Sequence, residues 1–81
     1  MKPPLRTLEI IYSKGWEEGR ETAKGFHKGY MNARERQTRS LSPYMRSIEP
    51  EKHAAWRRGY LAGYEDYWRG VPSVAPASSP L

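Results

Sequence analysis

The sequence predicts an all-α protein: two helices, about residues 8–37 and 50–69, packed as a helical hairpin with a basic connecting loop and a flexible C-terminal tail. Three observations lead there. Aromatic and small residues recur at helical spacing through both segments. Serine, proline and glycine punctuate the chain where those patterns stop. The one stretch that also reads as a strand, Leu5 to Tyr12, has no second strand to pair with.

Residues 1–7, with Pro3-Pro4, are expected to form a flexible arm, and residues 8–70 a single small helical domain. Thr7 is a candidate cap for a helix beginning near Leu8. From Ser13 to Gln37 the period is plainly helical. At 100° per residue, Tyr12, Trp16, Gly19, Ala23, Phe26 and Tyr30 fall within about 40° of one line. Lys14, Glu17, Glu21, Lys24 and Lys28 lie opposite, as a solvated face should.

Glycines interrupt this helix at positions 15, 19, 25 and 29, and the second helix repeats the four-residue spacing at Gly59 and Gly63. An interior glycine costs a helix ~1 kcal/mol relative to alanine. The pattern therefore needs a compensating role, and close helix–helix approach supplies one. Gly15-Trp16-x-x-Gly19, Gly25-Phe26-x-x-Gly29-Tyr30 and Gly59-Tyr60-x-x-Gly63-Tyr64 are versions of one unit. We read it as a single packing solution used three times, with Trp16, Gly19, Phe26, Gly29, Tyr30, Trp56, Gly59, Tyr60 and Gly63 as the packing set.

Thr38 to Glu49 is the break, rich in turn formers (Ser40, Ser42, Pro43, Ser47). Pro50 suits the first turn of the next helix, with Glu51 at the positive end of its dipole. Gly70, followed by Val71-Pro72, is a stop signal. Residues 71–81 carry no charge and no period and are expected to be a disordered tail.

Charge is unevenly distributed. The net charge is +5. Arg20 to Arg46 holds seven basic residues and two acids, a balance of +5, so the remainder is neutral. A basic stretch interleaved with aromatics suits an anionic polymer, usually nucleic acid, although a solvated basic surface has the same composition. There is no cysteine and no apolar run of membrane-spanning length, which makes a cytoplasmic protein the expectation. His27 and His53 have no ligand cluster at metal spacing, and no nucleophile–base set or phosphate-binding glycine loop is present. Neither a metal, a cofactor nor catalysis is expected.

Lys28-Gly29-Tyr30, then Pro43-Tyr44, then Trp56-x-x-Gly59-Tyr60, in that order and near that spacing, resemble the ribosome modulation factor family of small basic bacterial proteins. The likeness covers about residues 25–65. Ser42 stands where the family often has cysteine, and Ala33 and Arg36 replace expected glycines. The Tyr44–Trp56 connection is longer, so this would be a divergent relative, phage- or plasmid-borne in character. The resemblance implies two helices joined by a basic linker, binding to small-subunit rRNA of the ribosome, and repression of translation by occupancy rather than turnover.

Within that reading the RNA-binding candidates are Lys28, Arg34, Arg36, Arg39, Tyr44, Arg46, Arg57 and Arg58. An arginine fork binds phosphate through paired hydrogen bonds and stacks on bases. Tyr44 either stacks on an unpaired base or folds back as a lid over the helices. Arg34 and Arg36 also complement a helix C-terminus, and Arg57 and Arg58 have Glu51, Glu65 and Asp66 as alternative partners on their own helix. The other class of function is a protein–protein interaction module, such as a phage-encoded inhibitor of a host or defence protein. Its aromatic stripe would be completed by a partner helix or by a homodimer. Nonspecific nucleic-acid binding is the third reading.

Overall fold

A computed structural model of the chain describes residues 3–70, so the expected C-terminal tail lies outside the described residues. Those residues form three helices and no strand: α1 (Leu5–Lys28), α2 (Ala33–Arg39) and α3 (Pro50–Trp68). The all-α class is as expected; the number of helices is not.

The first correction is at the start. Leu5, Arg6 and Thr7, assigned to the arm, belong to α1, which follows Pro4 directly without a side-chain cap. Thr7 is therefore an internal residue rather than a cap.

The second correction concerns the predicted helix 8–37, which divides in two. Gly29 adopts a left-handed conformation at φ 86° and ends α1. The amides of Gly29 and Tyr30 both donate to the Gly25 carbonyl, the Tyr30 bond closing the wider loop of a glycine-terminated helix. Met31 then turns inward and is buried, its methyl facing Gly25. Asn32 restarts the chain as α2, its side-chain oxygen accepting from the Glu35 amide at 2.8 Å. The period continues through Tyr30 only by coincidence of spacing, and Tyr30 itself is 61 % exposed. Phe26, also placed in the packing stripe, is 38 % exposed and lies under the Arg36 guanidinium, 4.6 Å from its ring centre.

α1 and α3 form the body of the fold, and they meet backbone to backbone. A side chain built on Gly15 or Gly19 would strike the carbonyls of Trp56 and Tyr60. One built on Gly59 or Gly63 would strike those of Tyr12 and Trp16. The four glycines thus interlock reciprocally, each facing a carbonyl oxygen of the other helix, an arrangement favourable for weak Cα–H···O contacts. Close packing of this kind is the compensation their helix penalty requires.

The register has a topological consequence. Tyr12 meets Gly59, Trp16 meets Gly63, and His27 meets Tyr67 and Trp68 farther along. Position rises together on both helices, so α1 and α3 run in the same direction. The pair is parallel, unlike the two arms of a simple hairpin, and residues 29–49 must carry the chain back along it. α2 and the segment after it form that return leg: Arg36 lies by Tyr64, Ser40 by Arg57 and Tyr44 by His53.

Along α3, one face carries the glycines and another carries Trp56, Tyr60, Tyr64 and Trp68 at four-residue intervals. Neighbouring rings in this series are 5.1, 6.4 and 6.3 Å apart. Ile11, Ala55, Trp56 and Tyr60 form the apolar core, with Leu8, Tyr44 and Tyr64 packed against it. Trp16 is fully enclosed, and its indole N–H donates to Asp66 at 2.8 Å, satisfying the one polar atom it buries. α3 begins with Pro50 and ends before Gly70 at φ 77°, as the sequence indicates.

Candidate nucleic-acid interface

The eight candidate contact residues separate into two groups. Three arginines are turned toward the protein and hold the return leg down. Arg57 donates to the Ser40 carbonyl at 2.7 Å. Arg36 covers Phe26 and reaches the Tyr64 hydroxyl at 3.3 Å. Arg39 pairs with Glu18 of α1 at 3.4 Å and with Glu35 one turn back at 3.6 Å. A charge-assisted hydrogen bond is worth about 1.5–3 kcal/mol, while exposed ion pairs contribute about 0–1 kcal/mol. Arg57 is therefore the strongest of the three fasteners and Arg39 the weakest.

Tyr44 belongs with this group. Its ring packs on the core, its amide is bonded to the Ser42 hydroxyl at 3.0 Å, and its carbonyl accepts from His53 Nδ1–H at 3.0 Å. Of the two readings of this residue, the lid is the one the geometry matches.

Lys28, Arg34, Arg46 and Arg58 form the second group. All four are exposed and make no ion pair among the described residues. Lys28 closes the last turn of α1, Arg34 opens α2, Arg46 lies on the return leg and Arg58 on α3. Both arginines expected at a helix C-terminus, Arg34 and Arg36, sit on α2: Arg36 lies in its last turn and so complements a helix C-terminus as expected, but Arg34 does not. Arg34 is in the first turn of α2, where the dipole does not favour a cation, and it makes no ion pair among the described residues.

Residues outside the candidate set also line this surface. Between α2 and α3 an open pocket of about 270 Å³ is bounded by Arg36, Gln37, Ser40, Tyr60, Leu61 and Tyr64. Leu61 had no part in the sequence reading, Gln37 entered it only as the end of the helical period, and Tyr64 only within the repeated glycine–aromatic unit. The signal that could have found Gln37 is the Asn32-x-x-Glu35 cap: once α2 starts at Ala33, Arg34 and Gln37 share a face. On the other side of the return leg, an open groove of about 650 Å³ runs between α1 and residues 38–43, with Glu17, Glu18 and Glu21 along one wall and Trp56 within.

Tyr60 forms the floor of the return-leg interface and is 3 % exposed. Burial raises its phenol above the ordinary value, opposed by the adjacent Thr22 hydroxyl. Thr22 is itself enclosed and donates to the Glu18 carbonyl at 2.8 Å.

Among the described residues there is no group of three His, Asp or Glu side chains placed to hold a metal, and no helix is long and apolar enough to cross a membrane. Comparison of the chain with protein-family models, curated proteins and solved structures returns no match.

Proposed function

We propose that this protein is a non-catalytic RNA-binding module, and that its target is small-subunit rRNA of the ribosome, which it occupies to repress translation. The observation that carries the RNA part is the division of the basic residues. The return leg is fastened by Arg36 and Arg39 of its own and by Arg57 of α3, yet Arg34 and Arg46 on it stay exposed and unpaired among the described residues. Cations left without partners on an ordered segment supply phosphate contacts at little ordering cost. The ribosomal part rests on the resemblance of Lys28-Gly29-Tyr30, Pro43-Tyr44 and Trp56-x-x-Gly59-Tyr60. Sedimentation with ribosomal subunits across a salt series tests both parts. Retention on the small subunit at low salt and release as salt rises is the expected result; absence from it at low salt excludes the ribosomal target.

A second reading has its own observation. Leu41, Met45 and Ile48 on the return leg are between 60 % and 70 % exposed. Apolar side chains presented in this way suit a protein partner, a host or defence protein or a second copy of the chain. Capture of one defined protein from nuclease-treated lysate, or a dimer in light scattering, favours this alternative.

A further inference from the structure

The geometry points to the pocket between α2 and α3 as a seat for one unpaired base of a bound RNA strand. This inference rests on the RNA-binding reading above and deepens it. The walls are of two kinds. Tyr64 and Leu61, above the buried Tyr60, make an apolar and aromatic side, while Arg36, Gln37 and Ser40 contribute polar groups from the opposite side. A flat ring with hydrogen-bonding edges is the ligand chemistry that matches both: its face meets an aromatic wall and its edge meets an amide and a guanidinium.

Size narrows the occupant. Sites for drug-sized ligands run from about 300 to 1,000 Å³. At about 270 Å³ this pocket takes a single ring system and little more. The phosphate belonging to that ring also has a place to go. Arg34 precedes Gln37 by three residues on α2, so the two share a face, and Arg34 is exposed. A strand with one base in the pocket thus has a cation one helical turn away.

The pocket also explains why Arg36 is held as it is. Its bond to the Tyr64 hydroxyl and its contact with Phe26 fix the guanidinium at the pocket wall before any ligand arrives. Preorganised donors cost less to engage than flexible ones.

The test compares two octamers of equal charge by fluorescence anisotropy at one salt concentration: oligoadenylate, and a fully abasic ribose-phosphate octamer. Wild-type protein is expected to bind oligoadenylate at least about five-fold more tightly, the lower end of one stacked base. Leu61→Glu and Gln37→Ala, both at exposed positions, should shrink that preference while leaving the circular-dichroism melting midpoint in place. Equal binding of the two octamers overturns the base pocket and leaves the RNA reading standing. A preference untouched by both variants puts the base elsewhere and also overturns it. Failure of both octamers to bind overturns the RNA reading itself. Adenosine monophosphate binding as tightly as oligoadenylate overturns the assignment to a strand.

Discussion

At the scale of single residues, the four interlocked glycines carry more of the fold than any side chain. A methyl group on Gly63 would lie 2.7 Å from the Trp16 carbonyl carbon, and neither helix backbone can yield there without separating from the other. Gly63→Ala is therefore expected to destabilise by about 3 kcal/mol, the upper end of overpacking costs, despite alanine's better helix propensity. Gly29→Ala is a useful contrast. No atom crowds that position, and only its left-handed backbone is at stake, so the loss should be about 1 kcal/mol. Urea unfolding of the two variants distinguishes close approach from backbone strain. Tyr60 gives a prediction of a different kind. Its phenol is raised in the folded state by burial, so the folded chain keeps a proton that the unfolded chain gives up first. The stability linked to it is fully present below the ordinary value of 10.0 and is lost as pH rises through and beyond it. Urea midpoints measured between neutral pH and strongly alkaline pH should fall more steeply for wild type than for Tyr60→Phe.

At the scale of elements, the return leg is an ordered strap held by a few polar fasteners. α2 buries none of its own residues, so its position depends on Arg36, Arg39 and Arg57 and on the Tyr44 lid. Arg57→Ala should accelerate amide exchange across Arg36–Ser40 while leaving the protected amides of α1 and α3 unchanged. If all three helices lost protection together, the strap would be part of one cooperative unit and the fastener reading would fail. This is also the scale at which the sequence was hardest to read. The packed face of α1 as far as Ala23, the packed Trp56, Gly59, Tyr60 and Gly63 of α3, the start at Pro50 and the stop at Gly70 were legible, because periodicity and punctuation are local signals. The Gly29 terminator and the Asn32 cap were local too, but the aromatic spacing ran through them and masked the break. The parallel direction of α1 and α3 had no local signal. It follows from which carbonyl meets which glycine, a relation between residues more than forty positions apart. The candidate site suffered accordingly: charge identified the arginines, but only their neighbours in space separate the ones that fasten the strap from the ones that face outward.

At the scale of the whole molecule, the fold is a thin slab, 42 × 27 × 12 Å, and few side chains are enclosed. Such a shape stabilises itself through helix apposition more than through a large core, and it leaves much of the chain at the surface. The basic surface can then be tested without threatening the fold, since Arg34 and Arg46 are exposed and touch none of the interlocking glycines. Each cation that meets a phosphate of a single strand contributes about −0.7 to the slope of log affinity against log salt. Removing both by Arg34→Ala and Arg46→Ala should flatten that slope by about 1.4 and leave the unfolding midpoint nearly unchanged. Arg57→Ala should act differently, lowering affinity by loosening the strap with little change in slope, because its guanidinium is committed to the Ser40 carbonyl. Equal slopes for wild type and the double variant would mean that the free cations face away from the RNA. The exposed Leu41, Met45 and Ile48 would then be the surface to mutate next, with a protein as the partner sought.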